Sequence, residues 1–218
     1  MSAHDPVAVK ICGLRDRDTL EAALDSGADW IGLVFHARSP RHVDPDTAAT
    51  LSGLAAGRAG RVGLFVRPGE AELAEVLSRV ELDALQLYGM EDRIGTLRER
   101  FGLPVWCAHG VATAADLPCR SDADRLVIEA KPPAGTNRPG GNGARFDWDL
   151  AAGWVAPRPW LLAGGLNPDN VAEAIRRSGA RTVDVSSGVE EAPGLKDPAL
   201  IRRFIAAARG TAAGRNPQ

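Results

Sequence analysis

Lysine is nearly absent from this chain. Of its 26 basic residues only Lys10, Lys131 and Lys196 are lysines. An ammonium is a compact charge whose proton affinity moves readily on burial, unlike a guanidinium. Three lysines in so arginine-rich a chain therefore mark positions that want an ammonium. Cysteine is scarce too. Cys12, Cys107 and Cys119 are odd in number and lack the Cys-x-x-Cys spacing of a metal or redox site. This argues against a disulfide framework or a metal centre, and for a reducing cytoplasmic setting. No apolar run exceeds strand length, so no membrane span is expected, and Met1 to Pro6 is too short and polar for a signal peptide. A net charge of −2 over 218 residues supplies no positive field for nucleic acid or an anionic membrane.

What the chain does have is 44% apolar residues, enough for a full core, laid out in eight short runs separated by amphipathic stretches. Strands are expected at Val7 to Cys12, Trp30 to Phe35, Arg61 to Val66, Ala84 to Tyr88, Pro104 to Ala108 and Arg125 to Glu129, then from Pro159 and from Arg181. Helices are expected at Asp18 to Ser26, near Pro45 to Ala56, around Leu73, Val76 and Leu77, and around Ile94, Leu97 and Phe101. After the fifth strand the helical signal is weak, at most one or two turns near Ala112 to Leu117. Asn167-Pro168 reads as a cap that opens a helix with Val171, Ala174 and Ile175 inward. A last helix spans about Pro198 to Arg209. Such alternation implies the α/β class: a single (β/α)8 TIM barrel over residues 1–210, with 211–218 a frayed tail.

Chemistry in such a barrel lies at the C-terminal ends of its strands. Period two puts Lys10 and Cys12 on one face, and Gly13 follows. A lone cysteine is more often a small buried apolar residue. A rim cysteine above a lysine is instead a candidate low-pKa thiol. Arg41 follows a rigid Ser-Pro turn, where it either forks a carboxylate or is a solvated loop arginine. Gln86 and Tyr88 share a face of the fourth strand. Glu129 ends the sixth after three apolar residues, so a raised pKa is expected, opposed if Lys131 pairs with it. Asp184 shares a face with Ser186, and the eighth strand neighbours the first, so an Asp184–Lys10 ion pair is expected. Gly164-Gly165 and Ser187-Gly188 break consecutive strands at small residues. Paired turns after the seventh and eighth strands are a phosphate grip. The long Pro132 to Gly143 loop has the length of a lid.

These stretches together resemble the phosphoribosylanthranilate isomerases of tryptophan biosynthesis. The resemblance rests on Val9-Lys-Ile-Cys-Gly13, Ser39-Pro-Arg41, Gln86-Leu-Tyr-Gly89, Ala130-Lys-Pro-Pro133, Pro139-Gly-Gly-Asn-Gly143, Ala163-Gly-Gly-Leu-Asn-Pro-Asp-Asn-Val171 and Val183-Asp-Val-Ser-Ser-Gly-Val-Glu190 with Lys196-Asp197, in order along nearly the whole chain. It implies a barrel enzyme without metal or organic cofactor, acting on a small phosphoribosyl substrate as a monomer or homodimer. It implies Cys12 as general base, Arg41 as holder of the anthranilate carboxylate, Asp184 near the ribose hydroxyls, and Gly164, Gly165, Ser187 and Gly188 around the phosphate. Lys10 and Gln86 are further substrate-binding candidates. Two positions depart from the family: Glu129 stands where the acid is usually Asp, and Tyr88 where His is usual. Two other readings fit the same residues: a paralogue isomerising a related phosphosugar conjugate, and a barrel that binds a phosphosugar without turnover. Cys12 with a carboxyl at 129 speaks against the latter.

Overall fold

The computed structural model describes residues 6–131 and 147–210. Eight parallel strands close into a barrel in sequential order: β1 Ala8–Cys12, β2 Trp30–Val34, β3 Gly60–Val66, β4 Ala84–Tyr88, β5 Val105–Val111, β6 Arg125–Ala130, β7 Trp160–Leu162 and β8 Thr182–Val185. Six α-helices lie among the described residues: α1 Arg17–Asp25, α2 Pro45–Ala55, α3 Glu70–Leu77, α4 Ile94–Phe101, α5 Val171–Ser178 and α6 Pro198–Gly210. Asp16 caps α1 through the Thr19 N–H, and Asp44 caps α2 with Pro45 at its first turn. The expected tail at 211–218 and the Pro132 to Gly143 loop lie outside the described residues.

Inward faces follow period two. Val62, Ala84, Tyr88, Trp106, Ala108, Val127, Leu161 and Ala163 form one cluster inside the barrel, separate from the larger core between strands and helices. The N-terminal mouth is plugged by Trp30 and Trp106, ring centroids 4.9 Å apart and edge to face. The Arg125 guanidinium lies 5.5 Å from the Trp106 ring. A repeated device sets the register beneath this plug. Asp29, Asp83 and Asp124 each stand just before an even strand and accept the backbone N–H of Val9, Arg61 and Val105 on the preceding odd strand, at 2.7, 2.8 and 2.8 Å.

The structure corrects three sequence-based assignments. β5 runs on to Val111, because His109, Gly110 and Val111 pair with Ile128, Glu129 and Ala130; ladder bonds carry it where its apolar run ends. After β5 comes a single 3-10 turn, Ala114–Asp116, within the one or two turns expected there. Asn167-Pro168 does not open α5. The Asn167 carboxamide oxygen accepts from the N–H groups of Asp169 and Asn170, forming a closed turn, and the helix starts at Val171. After β8 a short hairpin, β9 Glu190–Ala192 and β10 Leu195–Lys196, folds back before α6.

If the aspartate device sets register, Asp124→Ala should lower stability by about 1–3 kcal/mol, the cost of an orphaned buried N–H. KM should stay unchanged, since the site lies at the opposite end of the barrel. An unchanged urea midpoint would remove the device from the account.

Candidate active site

At the C-terminal mouth β1 and β8 stand in register, Lys10 opposite Asp184. The Lys10 ammonium is fully buried and donates to Asp184 Oδ1 at 3.0 Å, the expected ion pair. Burial pulls the Lys10 pKa down, but the charges of Asp184 and Cys12 and the hydrogen bonds to them together outweigh it, and the net shift is upward. Cys12 is buried one step above on the same face. Here the structure corrects the expected low-pKa thiol. Burial pushes the Cys12 thiol above its ordinary value. The charges of Lys10 and Lys196 pull it down, and Asp184 between them works against that pull.

Glu129 lies on the neighbouring inner face, 6% exposed. Burial pushes its carboxyl up to about 8; a hydrogen bond from Tyr88 and the charge of Lys10 oppose this, and Asp184 adds to it. Lys131 is exposed and is not among the groups that shift Glu129. Tyr88 is pushed well above its ordinary range, first by burial and then by Glu129, so it stands as a neutral phenol. Gln86, buried below, donates from Nε2 to the Tyr88 hydroxyl at 3.5 Å, while its Oε1 has no partner among the described residues. An orphaned acceptor at the floor of a site is suited to a ligand hydroxyl.

Arg41 is not a solvated loop residue. Its side chain is 6% exposed and its guanidinium forks Glu190, Nε to Oε1 at 2.7 Å and Nη2 to Oε2 at 2.8 Å. The stem crosses directly over Gly13, where a β-carbon would sit 2.8 Å from Arg41 Cδ. The fork leaves both Nη1 hydrogens and one on Nη2 unspent. The hairpin after β8 returns Lys196 beneath this pair. Its Nζ donates to Glu190 Oε1 at 2.7 Å, the Ser186 carbonyl at 2.9 Å and Ser186 Oγ at 3.3 Å. Ser186 Oγ in turn donates to the Cys12 carbonyl at 3.1 Å. Burial alone would push the Glu190 carboxyl up; the Arg41 hydrogen bond and the Lys196 charge bring it down to about 2. Glu190 and Lys196 escaped the sequence-based site list. Lysine scarcity was the available signal: Lys10 and Lys196 are buried against carboxylates, whereas Lys131 is exposed.

The two small-residue loops lie side by side. Gly164 and Gly165 take φ of 82° and 65°, a left-handed path that other residues resist. A β-carbon on Gly188 would overlap the Leu166 carbonyl, so glycine there is what lets the loops touch. Asn170 Nδ2 ties the first loop by donating to the Gly165 carbonyl at 2.9 Å. The N–H groups of Gly164, Gly165, Ser187 and Gly188 meet no acceptor among the described residues. Such a cluster of free donors suits an anion. One possible metal-ligand group occurs among the described residues, Glu91, Cys107 and His109 with donor atoms within 4.8 Å of one another. It lies outside the barrel wall, since β5 turns Trp106 and Ala108 inward. No helix of the described residues is long and apolar enough to cross a membrane.

Comparison with known proteins agrees with this geometry. A family profile described as N-(5'phosphoribosyl)anthranilate (PRA) isomerase matches residues 9–207. An N-(5'-phosphoribosyl)anthranilate isomerase of Paramagnetospirillum magneticum is 54% identical over 211 residues, covering 94% of this chain and 98% of the relative. The crystal structure of phosphoribosyl anthranilate isomerase from Thermotoga maritima superposes with a TM-score of 0.82 at 36% identity, covering 94% of this chain and 99% of that one. Another phosphoribosyl anthranilate isomerase, solved in complex with reduced 1-(o-carboxyphenylamino)-1-deoxyribulose 5-phosphate, has a TM-score of 0.80 at 34% identity, again covering 94% and 99%.

If Cys12 and Glu129 are the groups that exchange protons with the substrate, their shifts set a pH profile. A raised carboxyl is protonated at neutral pH, and so is a raised thiol. The pair in which Cys12 has lost its proton and Glu129 keeps it is then a minor form, most populated between the two titrations. The pH dependence of kcat/KM should therefore be a bell displaced to the alkaline side, rising through about 8, where Glu129 titrates, and falling above the thiol. A plateau already reached at neutral pH would contradict it.

Proposed function

The chain belongs to the N-(5'-phosphoribosyl)anthranilate isomerase family, and from that premise we propose that it carries out the family's Amadori rearrangement, with Cys12 as base and Glu129 as acid. The observation that carries this reading is the facing of a buried thiol and a buried, readily protonated carboxyl across the Lys10–Asp184 pair. Glu129 gives its proton to the furanose ring oxygen, and the C1′–O bond breaks to leave a Schiff base between C1′ and the anthranilate nitrogen. The Cys12 thiolate takes the C2′ proton, and the electron pair moves through C2′–C1′ to the nitrogen. The resulting enolamine gains a proton at C1′ and loses one from the C2′ hydroxyl, giving the aminoketose. A proton enters for each that leaves, so no redox partner is consumed.

The remaining site residues divide the substrate. The N–H groups of Gly164, Gly165, Ser187 and Gly188 hold the phosphate, Asp184 and Gln86 face the ribose hydroxyls, and Lys10 steadies the Cys12 thiolate as it forms. Arg41 takes the anthranilate carboxylate with the donors Glu190 leaves free. The cytoplasm is the compartment this reading implies, because buried free thiols persist there.

The test is a fluorescence assay with freshly made phosphoribosylanthranilate. Glu129→Gln keeps shape and loses the proton, so kcat should fall by roughly 10²–10⁴. Cys12→Ser should fall at least as far, since an alkoxide is much harder to reach than a thiolate. Full activity in either variant, with a normal circular-dichroism spectrum, would take that residue out of the mechanism.

A further inference from the structure

Arg41, Glu190 and Lys196 form a buried cluster with a charge that does not balance. Their side chains are 6%, 4% and 1% exposed. Glu190 is ionised, held by both cations. Burial draws the Lys196 ammonium below its ordinary pKa against the pull of Glu190, and its hydrogen bonds show it ionised. Its Nζ meets three acceptors: the Ser186 carbonyl, a Glu190 carboxylate oxygen, and Ser186 Oγ, whose own proton is spent on the Cys12 carbonyl. Three acceptors need three N–H donors, which only the ammonium has. The other ion pair of the site, Lys10 with Asp184, is neutral in sum. Two cations and one anion therefore leave one positive charge where water is scarce, and an unpaired buried charge is costly.

We infer that the Arg41–Glu190–Lys196 cluster is a receptor built one anion short, and that Lys196 is the residue that makes it select a substrate bearing a carboxylate. This rests on the proposed reaction for the identity of that carboxylate. Without Lys196, Glu190 would neutralise Arg41, and an arriving carboxylate would face a balanced pair. With Lys196, the incoming anion completes the charge count while Arg41 keeps its fork to Glu190. Glu190 orients the guanidinium, with Gly194 N–H adding a bond to its Oε2 at 3.2 Å. Lys196 touches no substrate; it acts through Arg41 as a specificity-determining residue.

The experiment uses two non-reacting ligands, reduced 1-(o-carboxyphenylamino)-1-deoxyribulose 5-phosphate and its counterpart without the carboxyl, titrated calorimetrically. The wild-type protein should prefer the carboxylated ligand. Lys196→Met, of similar length but uncharged, should lose roughly 10- to 100-fold of that preference, the scale of one charge a few ångströms away in a partly screened site. The carboxyl-free ligand should weaken too, through the phosphate held beside Ser186, so the quantity read is the ratio of the two affinities. Lys196→Arg should restore the preference. Glu190→Gln disturbs the Lys196–Glu190 bond and the Arg41 fork but leaves the cluster positive, so it should keep the preference while kcat falls through a wandering guanidinium. Two substitutions in one network that diverge in this way separate charge from mere structure. Undiminished preference in Lys196→Met, or equal loss in Glu190→Gln, overturns the inference. Should Lys196→Met not fold, Lys196→Arg and Glu190→Gln carry the test, and loss of preference in either overturns it. Wild-type protein inactive on phosphoribosylanthranilate, yet showing the charge-dependent preference, would retire the reaction and keep the receptor.

Discussion

A lysine ammonium with no exposure to water sits against the Asp184 carboxylate where the first and last strands meet. The pair closes the barrel in two senses. It bridges β1 and β8 at matched register, and it fills the inner polar layer above the apolar floor. Removing either partner would leave the other charge stranded, which typically costs about 3–5 kcal/mol. It also sets the electrical conditions for both groups proposed to move protons. Lys10 draws the Cys12 thiol and the Glu129 carboxyl toward ionisation, and Asp184 pushes both back. Changing either member of the pair therefore alters both shifts together with the closure of the fold.

The free site therefore rests with its base and its acid both protonated more than water would have them. That suits an acid and not a base. A dianionic phosphate and a carboxylate arriving with the substrate would raise the thiol further, were cations not already placed. Lys196 meets this need as well. It bears on Cys12 by charge and, through Ser186, holds the Cys12 carbonyl in place. Lys10 and Lys196 are thus used where a compact cation bears on a buried thiol.

Local and periodic features of this architecture were legible in the sequence. Alternation along β1, β4, β6 and β8 correctly turned Lys10, Cys12, Gln86, Tyr88, Glu129 and Asp184 inward, because a strand's faces depend only on its neighbours in sequence. Barrel closure followed from the count of strands and made the Lys10–Asp184 pair foreseeable. Features fixed by distant contacts were not legible. Arg41 and Glu190 are 149 residues apart, and no local pattern links them. The short hairpin that returns Lys196 has little strand propensity and exists because its ends are anchored in the site. Asn167-Pro168 misled for a local reason, since an Asn-Pro pair starts a turn as readily as a helix. The Cys12 shift was misjudged because the neighbouring cation was visible in sequence and the depth of burial was not.

Glu129 and Tyr88 stand 41 positions apart and read in sequence as two separate departures from the family, yet in the fold they are one contact. β4 and β6 flank β5, whose inward residue between them is Ala108, small enough to let the longer carboxyl and the phenol meet above it. The chemistry of that contact matters. An imidazole beside a carboxyl can take up a proton, become a cation and drag the carboxyl down into its ionised form. A phenol raised well above its ordinary range remains neutral and offers only a hydrogen bond. Burial then prevails over that single bond, and the carboxyl holds its proton to about 8. Asp184 faces the pair from across the barrel and reinforces the same outcome. A residue one methylene longer therefore has a neighbour whose single hydrogen bond is too weak to strip its proton against burial, which leaves it in the state that the proposed ring opening requires.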